Sequence, residues 1–286
     1  MRHCLLVAFL VLISSVTAWG QSPTPDRTTT DLDWTTGTLR VTVERNVSAV
    51  GPTAISQTQR SIRRDAAAIL VRILSDLPYD SERTLGGLVE EEEALISAIE
   101  RAAGRAEAVQ TSASSDLDSA LVTFEIDLYR DLGTELVDHA RPAPIEQRLG
   151  WIPNASYTGI LIYAADRLPL FGTQTRTEPE PTLFPGIYYL SGPQRLIYRL
   201  AEIEHFEPER LPLSGPVAYT GDVQATGLAD RIGPRPLRIL AVAAFGTYPT
   251  DIVISEEDAR RIMASEHNRS LLRDGRIAVV LSPERL

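Results

Sequence analysis

The chain is 286 residues long, 43% hydrophobic, with a formal net charge of −10. That length allows one large or two ordinary domains, and the apolar content is enough for a real core. A balance this acidic argues against nucleic acid, which needs a basic footprint, and against an anionic membrane surface.

Residues 1–20 read as a signal peptide. Met1-Arg2-His3-Cys4 is a short basic start, and Leu5 to Ala18 is an apolar run of signal length, too short to span a bilayer comfortably. Val16-Thr-Ala18 and Ala18-Trp-Gly20 both suit a small-residue cleavage site. The mature protein is therefore expected in the periplasm or secreted, with no membrane span after cleavage. Cys4, the only cysteine, precedes the apolar run, so it is not a lipid-bearing cysteine, and the mature chain has no thiol or disulfide. The sequons at Asn46, Asn154 and Asn268 read as chance matches.

Residues 21–33 are polar and rich in Thr and Pro, a flexible leader. Residues 34–140 read as an N-terminal α+β module. Thr38 to Arg45 alternates as a half-buried strand, and Ala54 to Leu77 is a long amphipathic helix ended by Pro78. Arg60, Arg63, Arg64 and Arg72 lie off its apolar stripe as a solvated face. Leu88 to Gln110 reads as a second helix with Val109 inward, Thr111 to Asp116 as a loop, Ala120 to Tyr129 as a clean alternating strand, and Asp131 to His139 as a short helix.

Arg141-Pro-Ala-Pro144 marks a boundary, and residues 145–286 read as a C-terminal α+β domain. Tyr157 to Ala165 is a strand. Ile187 to Leu190 and Arg195 to Leu200 suit a hairpin between proline-rich loops. The clearest local logic is a β-turn-β-α-β unit. Leu237 to Phe245 is a continuous apolar strand expected to be buried on both faces, Gly246 to Pro249 is a turn, and Asp251 to Ile254 is a second strand. Ser255 caps a helix running to about His267, and Arg276 to Leu281 is a last strand. The fold class is thus α+β, with antiparallel or mixed sheets packed against long amphipathic helices.

The chemistry is mostly exclusion. Every basic side chain other than histidine is Arg, which removes Schiff-base, Walker-A and kinase lysines. No mature cysteine means no thiol nucleophile. His139, His205 and His267 have no partners at convincing metal spacing, so no metal and no cofactor are expected. Paired carboxylates, with Asp222, Asp230 and Asp251 among the candidates, remain the one open catalytic option, a hydrolase acting on envelope glycan. Asp251 equally suits bracing a turn. Phe171, Phe184, Tyr188 and Tyr189 cluster in or beside proline-rich loops and form a candidate aromatic binding surface, with lids packed over the sheet as the alternative. Gly246, Pro249, Asp251 and Ser255 carry the turn and cap.

The strand opening at Asp33-Trp34-Thr-Thr-Gly37, the Ala-rich helix around Arg64-Asp-Ala-Ala-Ala68 and the strand Leu121 to Asp127 together resemble exported bacterial envelope proteins of the LPP20 type and the N-terminal domain of flagellar-assembly protein T. In those families a strand, a helix and a return strand build a small α+β module. The chain departs from them in lacking the lipid-bearing cysteine. Pro236 to Ile239 and Thr250 to Ser255 also resemble uncharacterised spirochaete-type exported proteins. The resemblance implies a non-enzymatic accessory of the envelope or flagellum, with envelope or flagellar proteins as partners and no catalytic residues to carry over. A small-ligand binder is the remaining alternative.

Overall fold

The computed structural model describes residues 26–48, 51, 53–91, 95–133, 136, 155–191, 196–201 and 215–286. The signal segment, the Arg141–Pro144 boundary, His139 and His205 lie outside the described residues. The fold class is α+β, with antiparallel, mixed and parallel sheets.

The N-terminal half holds β1 (Arg27–Asp33), β2 (Thr38–Asn46), α1 (Ala54–Ser75), α2 (Leu85–Glu91), α3 (Ile96–Arg105), β3 (Glu107–Ala113) and β4 (Ser119–Asp127). Its strands form one antiparallel sheet in the order β1-β2-β4-β3. Alternation decides its two faces. Leu39, Val41 and Val43 with Val122, Phe124 and Ile126 point at the helices and are buried. Ile62, Leu70 and Leu74 of α1 and Ala98, Ile99 and Ala102 of α3 meet them. Each fully buried Leu or Ile stabilises by about 1.5–3 kcal/mol over an exposed one. The opposite face is polar, with Thr42 hydrogen-bonded to Thr123 at 2.9 Å and Arg40 paired with Glu125 at 2.9 Å.

The structure departs from the sequence expectations in several places. Residues 27–33 are not a flexible leader: Thr28 to Thr30 are β-branched, and the stretch pairs with β2 along its whole length. Asp26 locks its start by a two-pronged bond to Arg45 at 2.6 and 2.7 Å, and Arg45 also reaches Asp65 of α1 at 2.7 Å. The helix expected over Leu88 to Gln110 is α2 and α3, and residues 107–113, partly assigned to that helix and partly to a loop, are strand β3. Ala106 turns the backbone extended at ψ 129°, and the free edge of β4 takes up the segment Glu107–Ala113, whose Val109 and Thr111 suit a strand. Val109 sits at a bulge, exposed rather than inward. The chain after β4 makes a π-helical turn, Tyr129–Gly133.

The C-terminal half holds β5 (Ile160–Tyr163), β6 (Leu168–Pro169), β7 (Arg176–Thr177), β8 (Ile187–Ser191), β9 (Leu196–Ala201), β10 (Val217–Thr220) and α4 (Ala229–Ile232). It continues with β11 (Leu237–Leu240), β12 (Ala243–Phe245), β13 (Asp251–Ile254), α5 (Glu256–Met263), α6 (Glu266–Arg273) and β14 (Ile277–Val280). A parallel sheet has the order β10-β14-β5-β11, and a mixed sheet the order β12-β13-β8-β9. The parallel sheet is covered on both faces, as parallel sheets require. Ile160, Ile162, Ile277 and Val279 join the main core, while Leu161, Ala278 and Val280 pack with Ala225 and Ile232 on the other side.

The β-turn-β-α-β unit exists in altered form. Leu237 to Phe245 is not one central strand. It breaks at Ala241–Val242 and passes from the parallel sheet to the mixed one. Its first half is an edge strand, so Arg238 and Leu240 face outward, Leu240 with 71% exposure, while Ile239 is buried. Among the described residues, the strands buried at every position are β13 and β14. The helix expected to reach His267 ends at Met263, because Ser265 caps a second helix by accepting from the Asn268 N–H. Asn268 is almost fully buried, and its side chain bonds Tyr157, Ala155 and Arg261, so its sequon is structural.

One continuous hydrophobic core runs through both halves. Trp34 meets Tyr219 edge-on at 6.1 Å and Tyr79 meets Phe184 at 5.3 Å. The loop after α1 is stitched to the C-terminal half by backbone bonds: the N–H groups of Leu183 and Phe184 donate to Pro78 and Tyr79, and the Tyr248 N–H donates to Ser81.

Tyr129 is the centre of this seam. Its ring lies against Gly37 of the first half and Gly215 of the second, and a Cβ on either glycine would overlap it. Both glycines also hold positive φ, 70° and 83°. The Tyr129 hydroxyl is buried and, among the described residues, has no hydrogen-bond partner. Arg231 packs nearby, donating to the carbonyls of Gly215 at 2.6 Å and Ile277 at 3.1 Å, and burial pulls its pKa down to about 10. Burial also raises Tyr129 and Tyr219 well above the ordinary phenol.

Two outcomes are expected from urea unfolding. Tyr129→Phe removes a hydroxyl that bonds nothing, so it should be neutral or stabilise by up to about 1 kcal/mol, whereas Gly215→Ala should destabilise by about 2 kcal/mol or more. Stability should also fall as pH rises past about 10, the pKa of an unfolded tyrosine, because the folded state keeps phenol protons that the unfolded chain releases. Arg231, lowered in the folded state, opposes this as one group against two. The alkaline fall should be shallower in Tyr129→Phe.

Candidate functional site

The mixed sheet has two unlike faces. Ile187, Tyr189, Ile252 and Ile254 point into the main core. Strand alternation puts Tyr188, Asp251, Val253, Ala243 and Phe245 on the other side, where register pairs Tyr188 with Val253 and Phe245 with Asp251. This outer face is capped by aromatic rings. Phe245 meets Tyr188 edge-on at 5.3 Å and Phe171 at 6.0 Å. Phe171 is held there by its own backbone, whose N–H donates to the Ala244 carbonyl at 2.8 Å, next to the bridge between Leu170 and Ala244.

The three rings are half-buried, while Val253 and Asp251 beneath them are closed off from water, Asp251 at 2% exposure. A carboxylate at that depth needs partners. Its Oδ1 accepts the Gly186 N–H at 2.7 Å. Gly186 is glycine because a Cβ there would run into the Tyr188 ring and the Asp251 carboxyl. Asp251 therefore joins the start of β13 to the approach of β8, and the aromatic rings seal that join.

The expected aromatic surface is thus divided. Phe171 and Tyr188 come together on it. Phe184 and Tyr189 do not: both are buried in the main core, Phe184 against Tyr79, because Tyr189 is one step of alternation away from Tyr188. Phe245 and Gly186 complete the site and were missed. Phe245 carried no local signal: the break at Ala241–Val242, which places it on a separate sheet from Ile239, lies within a continuous apolar run. The turn residues fall around the site. Gly246 has φ 105° and lies against Ser81. The Pro249 carbonyl accepts the Glu180 N–H at 3.1 Å. Ser255 caps α5 by accepting the Asp258 N–H at 3.1 Å.

The carboxylate option has little to work with here. The buried acids among the described residues are Asp131 and Asp251. Asp131 is taken up by the Asp127 N–H at 3.2 Å and by Arg130, and Asp251 by Gly186. Asp222 sits in an exposed loop, accepting from Gln224 and Thr226, which lower its pKa. Asp230 lies in α4. Among the described residues no group of three or more His, Cys, Asp or Glu could hold a metal, and no helix is long and apolar enough to cross a membrane. His267 bonds the Tyr157 carbonyl at 2.7 Å.

Fold and site together define a two-module α+β protein whose distinctive surface is aromatic. Residues 27–135 match the family model for Treponema pallidum Tp0624, N-terminal domain, and residues 159–283 match that for Treponema pallidum Tp0624, second domain. The chain is therefore similar to two domains of a spirochaete protein, in the same order, which supports the spirochaete-type resemblance. No curated protein matches the chain.

Two substitutions test the site. Asp251→Ala leaves the Gly186 N–H without its acceptor in a dry setting and should cost at least about 1–3 kcal/mol in urea unfolding. Phe171→Ala removes a half-exposed ring from the rim and should cost less than Asp251→Ala. The reverse order would show that the rings, not the carboxylate, hold the face together.

Proposed function

We propose that the chain is a non-enzymatic, exported accessory protein of the cell envelope that docks on another envelope protein, the flagellar apparatus being one such setting. The observation that carries this reading is the rim of Phe171, Tyr188 and Phe245, half-exposed on a rigid sheet. Aromatic rings are enriched where proteins bind one another, and a ring already fixed by its neighbours loses little freedom on binding. The local use of Asp131 and Asp251 supports the same reading over a carboxylate-dependent hydrolase, whose acid and base must both face a cleft.

The test places a photo-crosslinking amino acid at position 171 in the native host. The expected result is one adduct of defined mass in the envelope fraction, absent when the same group is placed at Leu117, an exposed residue of the β3–β4 turn. No adduct at 171, or the same adducts from both positions, counts against the rim. The native protein should also begin near Trp19 or Gln21 on N-terminal sequencing. A start at Met1 in the membrane fraction contradicts export by signal cleavage.

A further inference from the structure

Among the described side chains, arginine is almost always spoken for. Those of β2, the turn after β4, α5 and α6 pair with carboxylates, and Arg231, Arg235 and Arg276 donate to carbonyls. The exceptions share one helix. Arg60, Arg63, Arg64 and Arg72 of α1 are exposed and make no ion pair or hydrogen bond. The one acid within this stretch, Asp65, is committed to Arg45.

Their spacing has a shape. Arg60, Arg64, Ala68 and Arg72 follow one another at intervals of four, the ridge that helix packing uses, and span roughly 18 Å along the axis. Arg63 flanks the ridge, and Ala67 and Ala68, both exposed, form a low point where another backbone can come close. No large exposed apolar side chain lies on α1.

We propose that the α1 ridge is a second contact surface, one that takes an acidic helical segment of a partner protein with carboxylates repeating every fourth residue. Charge complementarity is the argument. Guanidinium forks match carboxylates in two-pronged geometry, and the i, i+4 ridge offers them at the repeat an opposing helix presents. An anionic bilayer fits less well. A chain with net charge −10 is repelled as a body by a flat anionic surface, and α1 has nothing to insert into it. A narrow acidic helix meets only the ridge. This inference concerns a different face from the aromatic rim and stands or falls separately.

The probe is a fluorescein-labelled synthetic helix with Glu at every fourth position, titrated with the purified mature chain and followed by anisotropy. Binding is expected, weakening as salt rises. Replacing Arg60, Arg64 and Arg72 together by Gln should weaken it at least about tenfold, and replacing them by Lys should restore part of it. Arg40→Gln, on the far face of the sheet, should leave it unchanged. The residues are exposed, so an unchanged thermal unfolding curve is expected and separates loss of binding from loss of fold. No binding to the peptide, equal binding by the Gln variant, or cosedimentation with phosphatidylglycerol vesicles in place of peptide binding would each overturn the proposal.

Discussion

Tyr129 occupies a gap that only two glycines leave open, one from each half of the chain. Around that ring Trp34 meets Tyr219, Arg231 ties the Gly215 and Ile277 carbonyls together, and the apolar core passes from the antiparallel sheet to the parallel one without interruption. Two modules with separate family matches are here built as neighbours that share a core. The orphaned hydroxyl of Tyr129 shows the cost of this packing: the site is shaped for a ring, and its polar tip is left unmet.

From the seam outward, each sheet is placed by what covers it. The N-terminal sheet has helices on one side and polar pairs on the other. The parallel sheet is covered twice, by the main core and by the short Ala225–Ile232 segment. The mixed sheet gives its inner side to the core and covers its outer side with its own aromatic residues. That third solution leaves half-exposed rings over a buried carboxylate, which makes this face the most distinctive surface among the described residues.

Much of this was legible in the sequence where local rules act alone. The alternation of Ala120 to Leu128, the length of α1, the Ser255 cap, and the turn before Asp251 follow from period, capping and glycine chemistry, and the structure has them all. Tertiary context decided the rest. Residues 107–113 follow directly on the Ala-rich α3 but lie on the open edge of β4, and Arg27–Asp33 looks like a polar tail until β2 offers it partners. Leu237 to Phe245 is apolar throughout because its halves serve two sheets, so continuous hydrophobicity there did not mean a central strand. At the candidate site, composition found Phe171 and Tyr188. It could not separate Tyr188 from Tyr189, since which of two adjacent tyrosines faces out depends on register with β13. Tyr129 and Arg231 carried no local signal, because their roles arise only when the halves meet.

The central claim is that the two halves form one cooperative unit through this seam. Native-state hydrogen exchange tests it most directly, by comparing the slowest amides of β4 with those of β14 as urea is raised. The account predicts that both sets converge on a single opening free energy with the same urea dependence. If β4 and β14 instead open with different free energies throughout, the halves unfold independently and the shared core does not couple them.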